Sequence, residues 1–273
     1  MRSLLQVVRG TSEAGRDLPE ILPALTAATI KFRRGQLHVI AGQPGRGKTL
    51  MSLWYGIKSN CETLYFSADS DEGTIANRAS AVLLNKTVDE IKSMRQTEAV
   101  TVIEDELFEL SKRLRLQPDP HPDIDAIFEE VESYVELFGR CPELIIIDNL
   151  MNVAATHDNE WTGYRDNLRA LHTLARETES SVVVLHHTSE DSSKPNKPGP
   201  MKSLMGKANQ LPETILTVAM DGDEYHVAAV KNRDGEADPN AERPVTVYVD
   251  APSMSLFNTR QELDMARTRR QWQ

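Results

Sequence analysis

The octapeptide Gly42-Gln43-Pro44-Gly45-Arg46-Gly47-Lys48-Thr49 decides how this chain is read. It satisfies the pattern G-x-x-x-x-G-K-[ST] at every fixed position. The glycines let the backbone curl until successive N–H groups point inward at a polyphosphate. Lys48 is placed to reach the β- and γ-phosphates, and the Thr49 hydroxyl to take a position on Mg²⁺. The eight residues together are the expected cradle for ATP. The flanks supply the context that the motif needs. Leu37 to Ala41 reads as a buried strand and Leu50 to Ile57 as an apolar helix. A glycine-rich turn with a surface lysine is the alternative, and it would require neither flank.

Outward from this loop, apolar strands alternate with helical stretches. Thr63–Ser67, Leu114–Gln117, Leu144–Asp148 and Ser181–His186 read as strands. Helices are expected near Gly73–Asn85, Val88–Arg95, Glu104–Lys112 and Trp161–Thr178, and over the periodic set Ile124, Ile127, Phe128, Val131, Val135 and Phe138. That alternation predicts an α/β fold, a mostly parallel sheet flanked by helices. The last third changes character. Ile215–Ala219, Tyr225–Val230 and Val245–Val249 have little helix between them, and Asp221-Gly-Asp marks a hairpin turn. An antiparallel C-terminal extension of the same sheet is expected. The domain reading is an arm or linker over residues 1–30, an ATPase core over 31–260 and a polar tail, helical or frayed, over 261–273.

Composition sets outer bounds. The 273 residues carry a net charge of −10, which argues against wholesale coating of nucleic acid but not against a local basic channel. No apolar run approaches the roughly 18 residues of a membrane span, and the N-terminus has too short an apolar stretch for a signal peptide. Cys61 and Cys141 have no metal spacing. A reduced, cytoplasmic location is expected.

Several residues line up with the phosphate loop. Asp148 ends a strand, and ligands of doubly wound sheets gather outside such ends. It is the expected partner of Thr49 on Mg²⁺; a helix N-cap is the bland reading. Asp69, at the end of the second strand, is the first choice for the group that orients and deprotonates water, and Glu72 the second. Asp71 and Glu72 read more simply as a cap and a first-turn acid. His186 and His187 close the strand after that of Asp148, and His187 is preferred as a sensor of the γ-phosphate over a merely packed side chain. Lys231 and Arg233 lie on a turn after a strand. One protomer's loop has little need of two further cations, whereas a neighbouring subunit's site has use for them, as with an arginine finger. A solvated basic hairpin is the alternative.

Taken in order, five segments carry a family resemblance: Ala41–Thr49, Leu64–Asp69, Leu144–Leu150, Val182–His187 and Val230–Gly235. The chain resembles the RecA-like motor domain of hexameric replicative helicases of the DnaB type, and its histidine pair is more similar to small plasmid RepA helicases and phage-encoded relatives. The resemblance implies a homo-oligomeric ring, usually a hexamer, with ATP between subunits and Lys231 and Arg233 acting in trans. It places DNA-contacting loops at about Met151–Tyr164 and Ser189–Lys207. The second carries Lys194, Lys197, Lys202 and Lys207, suited to sequence-independent contact with single-stranded DNA. The sequence departs from the family in two respects. The usual catalytic glutamate is Asp69, one methylene shorter. Second, a separate N-terminal domain is not expected: residues 1 to about 30 are read as a linker or an arm packing on a neighbour, so ring stability is expected to come from the motor domain and that arm. The resulting expectation is an ATP-dependent helicase or translocase. An ATP-gated recombination mediator or loader is a second class, and a nuclease using Asp69, Asp71, Glu72 and Asp148 a third.

Overall fold

The computed structural model describes residues 12–155, 160–189 and 196–272, with the backbone alone at 160, 161 and 207. In chain order the elements are α1 (Pro23–Ala27), β1 (Leu37–Gly42), α2 (Lys48–Lys58), β2 (Thr63–Ser67), α3 (Glu72–Leu84), α4 (Val88–Met94), α5 (Val100–Ser111) and β3 (Leu114–Gln117). There follow α6 (Ile124–Phe138), β4 (Leu144–Asp148), α7 (Glu160–Thr178), β5 (Ser181–His187), β6 (Thr214–Asp221), β7 (Glu224–Asn232), β8 (Val245–Asp250), β9 (Ser255–Phe257) and α8 (Arg260–Gln271).

The strands form one sheet in the order β3-β2-β4-β5-β1-β6-β7-β8-β9. From β3 to β6 every pairing is parallel, and from β6 to β9 every pairing is antiparallel. The expected α/β sheet with an antiparallel extension is therefore the fold observed. Its central strands are continuous apolar runs because both faces are covered. With a side-chain period of two, Tyr65, Ile146, Val183 and Leu185 face the apolar sides of α2 and α3. Leu64, Phe66, Ile145, Ile147, Val182 and Val184 face the other way, onto Ile127 and Val131 of α6 and Leu168, Leu171 and Leu174 of α7.

Local chemistry sets the helix ends. The Asp71 carboxylate accepts the Thr74 N–H, Thr87 and Glu90 form a reciprocal capping box, and Asp123 accepts the Ala126 N–H at 2.7 Å. Gly139, with φ 72°, ends α6. Helix α5 begins at Val100, before the expected Glu104, because turns over 97–99 lead straight into it with no side-chain cap to mark the start. The hairpin β6–β7 turns on Gly222 and Asp223, with Asp221 paired to Glu224.

The described part of the N-terminal segment lies on its own core, with Leu18, Leu22 and Leu25 buried there; residues 1–11 lie outside the described residues. The polar tail is helix α8, opened by a Thr259/Glu262 capping box. Arg267 reaches Asp223 at 2.7 Å and Asp250 at 3.0 Å, and Arg270 also pairs with Asp250. This fastens the tail to the β6–β7 turn and to the end of β8. Burial raises the pKa of Asp250, but hydrogen bonds from Ser253, Arg270 and Arg267 outweigh it and hold the carboxylate below its ordinary range. A carboxylate depressed on folding contributes stability above its unfolded pKa and loses it as pH falls through the lower folded value. Asp250→Ala is expected to cost about 3 kcal/mol by leaving the half-buried Arg270 without its acid and Arg267 with Asp223 alone. Chemical denaturation at pH 7 and at pH 3 should show a smaller difference between variant and wild type at the lower pH.

Candidate functional site

The phosphate loop leaves β1 at Gly42 and closes into α2 at Lys48. Gly45 and Gly47 take φ of 72° and 85°, the left-handed region that glycine enters freely. At Gly47 space also runs out, because a Cβ there would sit 2.7 Å from the Tyr225 ring. The Tyr225 hydroxyl donates to the Gly47 carbonyl at 3.0 Å, so β7 holds the loop from below. Lys48 is buried and donates to the carbonyls of Gly42 and Gln43 at 3.0 and 3.1 Å. Burial lowers its pKa, against the pull of Asp148 and Asp69.

Thr49 and Asp148 meet directly: the hydroxyl donates to Asp148 Oδ2 at 2.7 Å. Tyr65, fully buried on β2, donates to the same oxygen at 2.9 Å. Burial raises the Asp148 pKa, and the Thr49 and Tyr65 hydrogen bonds hold it down. Asp148 is 2% exposed and has no ion-pair partner among the described residues. A buried carboxylate beside a hydroxyl, both hard oxygen donors, suits Mg²⁺. No group of three or more His, Cys, Asp or Glu with metal-binding geometry occurs among the described residues.

Asp69 stands exposed past β2, its N–H donating to the Asp148 carbonyl at 3.1 Å. Asp71 is engaged as the cap of α3, accepting Thr74 N–H at 2.9 Å and Thr74 Oγ1–H at 2.6 Å. Glu72 follows in the first turn, exposed. The histidines part by strand alternation. His186 is fully buried on the α7 side, edge-on to Tyr164, and its ring Nε2 meets the Met205 carbonyl at 2.9 Å. His187, half-buried, lies on the α2 side and pairs in register with Gly42. Burial lowers its pKa, with Lys48 acting in the same direction.

Lys231 and Arg233 are not brought to this site. Because β7 runs antiparallel to β6, Lys231 and Asn232 pair with Ile215 and Thr214, level with His38 at the start of β1. The phosphate loop leaves the far end of β1, about 10–13 Å further along the strand. Of the lysines, Lys197 and Lys202 are exposed beside a cavity of about 790 Å³ that also touches Gln43 and Arg46. Lys194 and the Lys207 side chain lie outside the described residues. Arg46 donates to Asn196 Oδ1 at 3.1 Å and so connects the phosphate loop to the lysine-bearing segment. Tyr65, Tyr225 and the Arg46 contact carry no signal of their own in the sequence. In sequence they are a strand residue, a second strand residue and an unconstrained position of the motif.

This geometry is that of a P-loop nucleotide site at the carboxyl edge of a RecA-like sheet. The chain belongs to the AAA domain family, whose profile matches residues 29–193. It is 34% identical over 244 residues to the gene 65 protein of Mycobacterium phage L5, covering 86% of this chain and 90% of that protein. A solved ATPase domain superposes with a TM-score of 0.78 at 16% identity, covering 94% of this chain and 96% of that one. A DnaB-like replicative helicase, described with its interactions with primase, gives the same TM-score and identity over 94% of this chain and 66% of its own. The fold is thus the RecA-like one of helicase ATPase domains.

Gly47→Ala places a Cβ against Tyr225 at a positive φ, a strain of about 1–2 kcal/mol before the clash is counted. It is expected to weaken Mg·ATP binding by at least roughly tenfold while far-ultraviolet circular dichroism stays unchanged. Titration with a fluorescent ATP analogue measures the loss.

Proposed function

We propose that the protein is an ATP-driven helicase or translocase that assembles as a ring, hexameric by the family resemblance, and acts on single-stranded DNA in replication or recombination in the cytoplasm. One observation carries this reading. The two cations that match the resemblance, Lys231 and Arg233, sit at the opposite end of the sheet from their own phosphate loop. In a head-to-tail ring that placement presents them to the next subunit's nucleotide. The relatives support the same assignment, since one neighbour in fold is a DnaB-like replicative helicase.

In this reading the loop from Gly42 to Thr49 wraps the phosphates, and Lys48 exchanges its two carbonyl partners for β- and γ-oxygens. Thr49 and Asp148 would hold Mg²⁺, which would supply charge neutralisation for the phosphates. Asp69, exposed at the edge of the site, orients the attacking water and takes its proton; its reach is one methylene shorter than glutamate. His187 contacts the γ-phosphate or its water from β5 and reports the nucleotide state. The neighbour's Lys231 and Arg233 offset the charge that builds on the γ-phosphoryl group. Lys194, Lys197, Lys202 and Lys207 hold the DNA backbone. The engagement of Asp71 as a helix cap favours this chemistry over a two-metal nuclease.

ATPase rate with and without single-stranded DNA, read beside strand displacement on a forked duplex, tests the proposal. DNA-stimulated hydrolysis with displacement, both lost in Lys48→Ala, is expected. Displacement that survives Lys48→Ala contradicts the motor, ATP-dependent DNA binding without displacement supports the gated ring instead, and cleavage without nucleotide supports the nuclease. Arg233→Ala is expected to lower kcat on the order of 10³-fold. Lys197→Ala and Lys202→Ala should each weaken DNA binding irrespective of sequence. Each should also reduce the slope of log K against log salt by about 0.7, measurable by fluorescence anisotropy.

A further inference from the structure

Glu213 lies immediately before β6, between Pro212 and Thr214, and nothing in the phosphate-loop chemistry uses it. Its side chain is 4% exposed, yet it faces three basic groups. Oε1 is 3.1 Å from His172 Nε2, 3.5 Å from Arg176 Nη2 and 3.6 Å from Arg233 Nη1. Oε2 accepts the Leu37 N–H at 3.0 Å, and the Glu213 N–H donates to the Leu37 carbonyl at 2.9 Å. The carboxylate is therefore locked to the first residue of β1, the strand that ends in the phosphate loop.

The same short segment holds both cations of the β7 turn. The Lys231 ammonium donates to the carbonyls of Asn209 and Gln210 at 2.7 and 2.9 Å. The Arg233 N–H donates to the Glu213 carbonyl at 3.1 Å, so backbone and carboxylate of one residue fix the position of the next strand's arginine. Charge completes the picture. One carboxylate is set against the two permanent guanidinium charges of Arg176 and Arg233, and His172 adds to the surplus when protonated. Arg233 is half exposed, at 51%. It is aimed by Glu213 without being neutralised by it, which leaves it able to take a second anion. A carboxylate that fully paired Arg233 would compete with a phosphate; one shared three ways orients the group and leaves the surplus.

We propose that Glu213 is the positioning residue for Arg233: it sets the guanidinium for the γ-phosphate of a nucleotide bound by a second copy of this chain. The inference rests on the trans-acting reading of Arg233 given above. It assigns to Glu213 no contact with the nucleotide. Removing its charge should therefore change how well the transition state is met and not how tightly ATP is held by the intact phosphate loop of the other copy.

The test is a double-mutant cycle on DNA-stimulated ATP hydrolysis by the full chain, using wild type, Glu213→Gln, Arg233→Ala and both together. Glutamine keeps an acceptor for the Leu37 N–H and deletes the charge. Glu213→Gln is expected to lower kcat roughly 10- to 100-fold, the scale of a misplaced catalytic group, with KM for ATP within about twofold. The double variant should be no slower than Arg233→Ala alone, because a positioning residue has nothing left to position. A Glu213→Gln enzyme with wild-type kcat, or a double variant whose losses multiply, overturns the inference while leaving the trans-acting reading intact. Wild-type activity in Arg233→Ala overturns both. Should Glu213→Gln not fold, as judged by its thermal unfolding, Glu213→Asp keeps the charge one methylene further back and carries the same cycle.

Discussion

The hydrogen bond from the Thr49 hydroxyl to the Asp148 carboxylate is the contact on which the site depends. Thr49 belongs to the first turn of α2 and Asp148 to the end of β4, and β5 lies between β4 and β1 in the sheet. The bond therefore spans the crevice where the connections of a doubly wound sheet diverge. It gives a buried acid its donor, with Tyr65 as the second. Were Asp148 displaced, the hydroxyl and the carboxylate would no longer face the same point, and Lys48 would lose the charge that offsets its burial. The position of Asp148 follows from burial in turn. Leu144 to Ile147 must be covered on both faces, which fixes the register of β4 against β2 and β5 and so fixes where the acid emerges.

Sheet polarity imposes the second constraint. Six parallel strands deliver their carboxyl ends to one edge, where Gly42, Asp69, Asp148 and His187 collect. The hairpin after β6 reverses direction, so β7 returns to the opposite edge and carries Lys231 and Arg233 with it. Tyr225, at the start of the same strand, supports Gly47 at the first edge. A single strand thus touches the phosphate loop with one end and presents two cations at the other. The C-terminal helix α8 holds the hairpin by Arg267 to Asp223, which keeps that strand in place as a rigid spacer between the two edges. In a head-to-tail ring, such a spacer sets the distance between a subunit's own nucleotide and its neighbour's.

What the sequence discloses follows from what each residue must satisfy locally. Strands buried on both faces appear as largely apolar runs, so β2 and β4 are legible to the residue, and Asp148 is conspicuous as the acid that ends one of them. The phosphate loop is legible because its glycines answer a backbone requirement that few other sequences meet. The three-residue β9 is not legible, since Ser255-Leu-Phe257 is too short to show a period. Glu213 escapes for a different reason: a single acid beside a proline acquires meaning only when His172, Arg176 and Arg233 are folded against it. Tyr225 reads as one more strand residue until the hairpin brings its hydroxyl under Gly47. Helix α8 lies between these cases. Its Thr259-x-x-Glu262 box is a local signal, whereas its anchoring by Arg267 and Arg270 is long-range.

The central claim is that each nucleotide site is completed by a neighbouring copy. Mixing Lys48→Ala and Arg233→Ala subunits tests it most directly, because each variant alone has every site disabled. In a mixed ring, an Arg233→Ala subunit keeps its phosphate loop and borrows Arg233 from a Lys48→Ala neighbour. Equal amounts, mixed and assembled, should recover roughly a quarter of wild-type DNA-stimulated ATPase activity if subunits combine at random in a head-to-tail ring. A mixture that stays at the sum of its two inactive components would contradict the account.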